Sequence, residues 1–356
     1  MGKVLVITVV VAAVAIFVGE RAVNFRKRAL ASREINLNHL PNCQLIKGIE
    51  YGAEDITRLP DGRAIMSTGL KLEGVPVFSQ DPGKMYILDP EDTRLKPVEL
   101  RIGRGFDVDS FNPHGISVYA DENDGSVYVF VVNHPNLKSQ LEIFKFMEDE
   151  DALVYLKTIK HELLHSLNDI VAVGPESFYA TNDQYFTYSF LKTLAVLFTI
   201  PLSNVVYYSP KEVKIVADGF YFTNGINISP DKRHIYVADI IGHNVHVLER
   251  KSNNNLVPLK VVEVGTLPDN IEVEPETGDL WLGCFPNGWK AFVNDPEDPA
   301  GSEVIRIQNI HSDKPVVTQV YADDGKVLIG STVATRFGGK LLIGTNYHRA
   351  LCCDLP

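Results

Sequence analysis

The sequence predicts an all-β protein: a six-bladed β-propeller with a central channel, an N-terminal hydrophobic helix and a helical lid insertion. Three observations predict it. After residue 40, short runs rich in β-branched and aromatic residues alternate with Gly, Pro, Asn and Asp turns, as in Val127 to Asn133, His234 to Asp239 and Lys340 to Thr345. Six segments share one order of polar residue, short apolar stretch, turn and second strand, and they recur every 46 to 62 residues. That interval suits propeller blades. Long amphipathic helical stretches are scarce.

The first element is apolar. Lys3 precedes an uninterrupted hydrophobic run from Val4 to Val18. It is the length of a signal-peptide core or a short anchor. Ala13-Val14-Ala15 lies inside the run rather than after it, so a retained signal-anchor over residues 1–30 is expected, ending in an amphipathic stretch. Arg21, Arg26, Lys27, Arg28 and Arg33 follow, and the positive-inside rule would place that side in the cytosol. Paired cysteines would instead need an oxidising compartment. The expectation is therefore the secretory pathway, with a membrane-associated or extracellular propeller over residues 40–356.

The propeller repeats come next. They open at Glu54-Asp55-Ile56, His114-Gly115-Ile116, Asn168-Asp169-Ile170, Asn224-Gly225-Ile226, Asp269-Asn270-Ile271 and Ser331-Thr332-Val333. In a propeller the first strand of each blade lines the channel. Glu54, Asp55, His114, Asn168, Asp169, Asn224, Asp269 and Asn270 would then converge on one axis. Buried like charges repel, so converging carboxylates either hold protons or bind cations. Carboxylate and amide oxygens are hard donors of the kind calcium gathers six to eight at a time. The near absence of His and Cys from the ring disfavours zinc. His114 and His134 are expected as neighbours on adjacent strands of one blade, one a general base and the other orienting it.

Other patterns carry less. His161-Glu162-Leu163-Leu164-His165 has the spacing of a zinc-protease helix, but it lies between a β-like run and a channel strand and reads as a connecting loop. Asp121 to Gly125 reads as a hairpin turn. No Gly-x-Ser-x-Gly and no Walker loop occur. The sequon Asn227-Ile228-Ser229 lies in a channel strand and should be buried. Tyr185 to Leu202 is aromatic and leucine-rich with Lys192 its single charge, and is expected to form a helical lid that touches a membrane or lipoprotein surface.

Composition bounds the rest. The chain has 356 residues, 45% apolar and 22% charged, enough for a sizeable core. A net charge of −11 argues against nucleic acid as a partner. Cys43 stands near one end of the folded region and Cys352 and Cys353 near the other. A bridge from Cys43 to either would close a very long loop, and Cys284 reads as a buried inert thiol.

At these residues the chain resembles the paraoxonase family of calcium-dependent lactonases. The specific stretches are Leu40-Pro41-Asn42-Cys43, Gly52-Ala53-Glu54-Asp55, Ser110 to Ser117, Val131 to Pro135, Leu167 to Ile170, Asn224 to Pro230 and Gly278 to Trp281. Leu30 to Glu34 is most similar to the membrane-associated branch. The resemblance implies two channel calcium ions and hydrolysis of lactones and aryl esters, with weaker action on phosphotriesters. It implies a catalytic calcium held by Glu54, Asn168, Asn224, Asp269 and Asn270, and a structural one held by Asp55, Asp169 and the Ile116 carbonyl. It implies a His114–His134 pair, a Cys43–Cys353 disulfide and a retained apolar N-terminus. Gln184 and Phe285 stand where histidines are familiar, Asn294 and Asn346 where bulkier wall residues are, and Cys352 is an additional thiol. The competing expectation is a non-enzymatic, calcium-stabilised, membrane-tethered binding propeller. Glu54 competes with His114 as the base.

Overall fold

A computed structural model of the chain describes every residue except 1, 34, 73–78, 294, 296 and 347, with only the backbone at 292. Glu34 and Asn294 thus lie outside the described residues. Six antiparallel sheets form the body, and five of them have four strands. The inner strands run Gly52–Arg58, Pro113–Ala120, Leu167–Gly174, Thr223–Ile228, Leu267–Val273 and Ser331–Phe337, one per predicted repeat. The second blade gains a short parallel strand, Arg101–Ile102, on its outer edge.

The blades stack face to face, so middle strands are buried on both sides. This explains unbroken apolar runs such as Phe130-Val131-Val132 and Leu341-Leu342-Ile343, all buried. Six hydrophobic clusters result, each shared by two successive blades. In one, Phe144 of the second blade meets Met85 of the first. In another, Tyr179 of the third meets Ile235 of the fourth.

The ring closes through the N-terminus. Gln44–Leu45 pairs antiparallel with Leu351–Asp354 and becomes the outer strand of the sixth blade. Cys43 and Cys353 form a disulfide there across 310 residues of sequence. Cys352 points the other way, as neighbours on a strand must. It packs against Ile46 and Val333 as a free buried thiol.

Helix α1 spans Gly2–Arg28 with no buried residue. At about 1.5 Å per residue it is long enough to cross a bilayer. Its second half rests on the propeller: Phe17 stacks on Phe198 at 6.2 Å and Arg28 sits over the Tyr221 ring at 4.2 Å. The helix α2 within the insertion covers Ser189–Leu197, shorter than the expected 185–202. Thr199 takes a left-handed backbone and Pro201 follows, so the helix cannot continue. A third helix, α3, spans Gly288–Val293. His161 to His165 lies in a loop between strands, as its context suggested. Asn227 is part-buried and its amide donates to the Ile271 carbonyl at 2.8 Å, so the sequon side chain is already engaged.

Candidate active site

Every inner strand has a register irregularity at the same height. The breaks fall between Gly52 and Asp55, Pro113 and Ile116, Leu167 and Ile170, Thr223 and Ile226, Pro268 and Ile271, and Ser331 and Val333. In a regular strand successive side chains point to opposite faces. An irregularity of this kind re-aims a side chain. It is placed so that both members of Glu54-Asp55, Asn168-Asp169 and Asp269-Asn270 turn toward the channel. All six are buried, as are His114 and Asn224.

Two glycines make the convergence possible. A Cβ at Gly115 would lie 2.6 Å from the Asp169 Cα, and one at Gly225 would lie 2.6 Å from the Asn270 Cα. The inner strands approach too closely there for any side chain.

The upper level of the channel holds five oxygens with unusual surroundings. Glu54 Oε2 and one Oδ1 each of Asn168, Asn224, Asp269 and Asn270 are buried and accept no hydrogen bond. Buried polar atoms are nearly always paired, so five such oxygens at one level of the channel, from four inner strands, ask for a common partner. The other ends of these groups are held. The Asn270 amide donates to Glu54 Oε1 at 3.0 Å and to the Glu54 carbonyl at 2.9 Å. Burial raises the Asp269 carboxyl well above its ordinary range, and the Glu54 and Asp55 charges raise it further. Among the described residues, no group of three or more His, Cys, Asp and Glu side chains is poised for a metal. The donor set here is two carboxylates and three amides, which suits a hard cation.

The lower level is built differently. Asp55 accepts the backbone N–H groups of Ile56 and Ile116, each at 2.8 Å. Asp169 accepts those of Ile170 at 2.7 Å and Ile226 at 2.8 Å. Each carboxylate thereby ties its blade to the next. Burial, then Glu54, pushes Asp55 up to about 7. Burial, then Asp55, pushes Asp169 well up. The Asp55 charge thus reaches Asp169, and both carboxylates retain lone pairs for a cation.

His114 and His134 meet as expected. His134 follows the strand Val127–Asn133, which pairs with the His114 strand, and His114 Nδ1 lies 3.0 Å from His134 Nε2. His114 Nε2 faces Glu54 Oε1 at 3.5 Å. Burial lowers the His114 pKa, but the Glu54, Asp183 and Asp55 charges outweigh it and the net shift is upward. Burial and the His114 charge hold His134 well below the ordinary value.

A cavity of about 380 Å³ opens above these groups. Glu54, His114, Asn168, Asn224 and Asp269 form its floor. Its walls include Phe222, Ile240, Ile241 and Phe285, with Val196 of α2, Ala29 beyond α1 and Ala291 of α3. Gln184 and Asn346 line it as well. Sequence reasoning missed Asp183, which lines the cavity and accepts a hydrogen bond from Ser166 at 2.5 Å. It also missed Ser139, the partner of His134. The signal for Asp183 was positional: it directly follows the second strand of its blade, as His134 does in the blade before.

The family model for arylesterases matches residues 34–355. The chain belongs to the arylesterase family. It is 57% identical to serum paraoxonase/arylesterase 2 of Gallus gallus, 52% to serum paraoxonase/arylesterase 1 of Homo sapiens and 50% to serum paraoxonase/lactonase 3 of Mus musculus, each covering 100% of both chains. Among solved structures, the chain resembles a luciferin-regenerating enzyme at 12% identity and a TM-score of 0.54, covering 88% of this chain and 96% of that one. It also resembles a putative gluconolactonase at 11% and 0.53, covering 90% and 100%. At such identities these two speak to the propeller fold alone, whereas the full-length relatives place this arylesterase within its family.

Proposed function

We propose that this arylesterase hydrolyses lactones and aryl esters at the mouth of its channel by calcium-assisted attack of water on the carbonyl carbon. The observation that carries the reading is the set of five buried, unpartnered oxygens beneath the apolar cavity and beside His114. Glu54, Asn168, Asn224, Asp269 and Asn270 would hold a calcium ion, and Asp55, Asp169 and the Ile116 carbonyl a second. Bound at the upper level, the ion would supply a Lewis acid that polarises the carbonyl and stabilises the oxyanion. The apolar walls exclude water from around the acyl group. His114 Nε2 takes the proton of the attacking water, and His134 orients the imidazole. Action on phosphotriesters is a weaker expectation, because Gln184 and Phe285 shape the mouth. A purely binding role conflicts with membership of an enzyme family. The exposed apolar surface of α1, continued by Tyr188 at the start of α2 and Phe190 within it, would seat the cavity mouth on a membrane or lipoprotein surface in the secretory pathway.

Chelation followed by calcium return tests the metal role. Activity on a lactone and on phenyl acetate is expected to vanish with chelator and return with calcium but not magnesium, which demands stricter octahedral geometry. Activity indifferent to chelation would remove the proposal. Calcium affinity should also depend on pH. Asp55, at about 7 without metal, holds a proton below that value, and the ion must displace it. Binding therefore strengthens as pH rises. Between pH 8 and pH 6 the dissociation constant of the lower ion is expected to rise at least about 10-fold, because Asp169 is pushed up as well, read by calorimetry.

A further inference from the structure

A second, larger cavity lies behind the histidine pair. It measures about 1040 Å³ and is lined by Asn133, Ser139, Gln140, Glu142 and Lys138 among others. Exposed residues such as Lys138 and His161 stand on its rim, so it meets solvent. Its lining shares no residue with the substrate cavity. His114 lines the front cavity and Ser139 the rear one, while His134 spans the wall between them. Ser139 Oγ lies 3.2 Å from His134 Nδ1 and accepts the Leu167 N–H at 3.1 Å.

We propose that Ser139 is a positioning residue that fixes the His134 tautomer and gives each turnover a proton exit into the rear cavity. This rests on the hydrolytic reading of the front cavity.

The hydrogen-bond inventory supports it. A hydroxyl has one proton and two lone pairs. One lone pair takes the Leu167 N–H. If the other takes His134 Nδ1–H, then His134 Nε2 is an acceptor and receives His114 Nδ1–H. His114 Nε2 is then left with a lone pair for the reacting water, its 3.5 Å approach to Glu54 Oε1 carrying no proton, and the Ser139 proton is free to face the rear cavity. The reverse polarity would put a proton on His114 Nε2 and disable it as a base. The wall is stiff. Glu142, fully buried, accepts hydrogen bonds from Asn133 at 2.9 Å, Gln140 at 2.5 Å and Thr158 at 2.5 Å, which pins the strand end that carries His134.

The chemistry demands an exit. A lactone and water give a hydroxy-carboxylate and one proton. The water oxygen bonds to the acyl carbon as the C–O bond to the alkoxide breaks. One water proton finishes on the alkoxide, and the other must leave the protein. Bound substrate covers the front. The chain from His114 Nδ1 through His134 and Ser139 moves one proton rearward by successive hydrogen-bond shifts; each residue keeps its charge, both imidazoles finish as the opposite tautomer, and the two rings and the Ser139 hydroxyl turn to restore the starting array before the next turnover.

The test compares Ser139→Ala, Ser139→Thr and Ser139→Cys in the full-length, calcium-loaded protein. Ser139→Ala is expected to lower lactone kcat about 10- to 100-fold, the usual range for a supporting partner, with KM and Tm nearly unchanged. Ser139→Thr keeps the hydroxyl and should restore most of kcat. The solvent deuterium effect on kcat should show several protons in flight in the native enzyme and fewer in Ser139→Ala. A Ser139→Ala enzyme with native kcat overturns the proposal. So does a loss that neither Thr nor Cys repairs. Calcium dependence and His114→Gln are measured alongside. If both behave as expected while Ser139→Ala is silent, the exit route fails and the hydrolytic reading stands; if neither does, the reading itself fails.

Discussion

Replacing His114 by glutamine is expected to lower kcat for lactones and aryl esters about 10²- to 10⁴-fold, the range that a positioned base contributes. Calcium affinity should hardly move, because the five orphaned oxygens do not include the imidazole. Glu54→Gln should behave differently. It removes a charge from the ion's donor set and from the Asn270 amide that Glu54 Oε1 accepts. Both calcium affinity and kcat should then fall. The contrast separates two candidates for the base that stand only 3.5 Å apart. The measurements are kcat at saturating calcium and a calorimetric calcium titration for each variant. A His114→Gln enzyme with native turnover, beside a calcium-loaded but inactive Glu54→Gln enzyme, would assign the proton transfer to Glu54.

The largest effect on stability should come from the latch that closes the ring. The Cys43–Cys353 disulfide spans 310 residues, for which chain entropy gives at most about 5–6 kcal/mol. The noncovalent part of the latch is a short strand pair, Gln44 with Cys352 and Leu45 with Leu351, extended by the Ile46 N–H on the Ala350 carbonyl and the Asp354 N–H on the Pro41 carbonyl, each at 2.9 Å. Cys43→Ser with Cys353→Ser is therefore expected to lower Tm by up to about 8 °C. Cys352→Ala should cost far less, because it deletes only a buried thiol. Differential scanning calorimetry under non-reducing conditions decides. Equal losses in the two variants would mean that packing in the sixth blade, and not the covalent latch, holds the ends together.

Much of this was legible in the sequence because the repeat interval says which strand a residue belongs to. Every polar doublet named from spacing lies on an inner strand, and His134, expected on a strand beside that of His114, directly follows the strand that pairs with it. What spacing does not carry is direction. A period of two would send Glu54 and Asp55 to opposite faces, and only the register breaks in the inner strands bring both to the axis. The same limit applies to Cys352 and Cys353, adjacent residues with opposite orientations that the resemblance, not the spacing, told apart. Asp183 and Ser139 escaped notice because each acts through a turn or loop whose path depends on packing between blades. The lid helix is shorter than its apolar composition implied, since hydrophobicity marks what touches a surface and not where a backbone must turn.

The recurring break in the innermost strands bears on how this protein can change over generations. All six spokes break register at one level, by two extra residues in the first and one in each of the others, so the hub behaves like a combination lock with its tumblers at one depth. Swapping the letter on a tumbler changes which ion or acyl group fits. Inserting or deleting one residue beside it rotates the whole spoke by half a strand period and turns the donors into the blade interior. Insertions in hairpins away from the break, such as the Asp121 to Gly125 turn at the far end of its inner strand, leave the lock untouched, so length variation among homologues should concentrate in such turns.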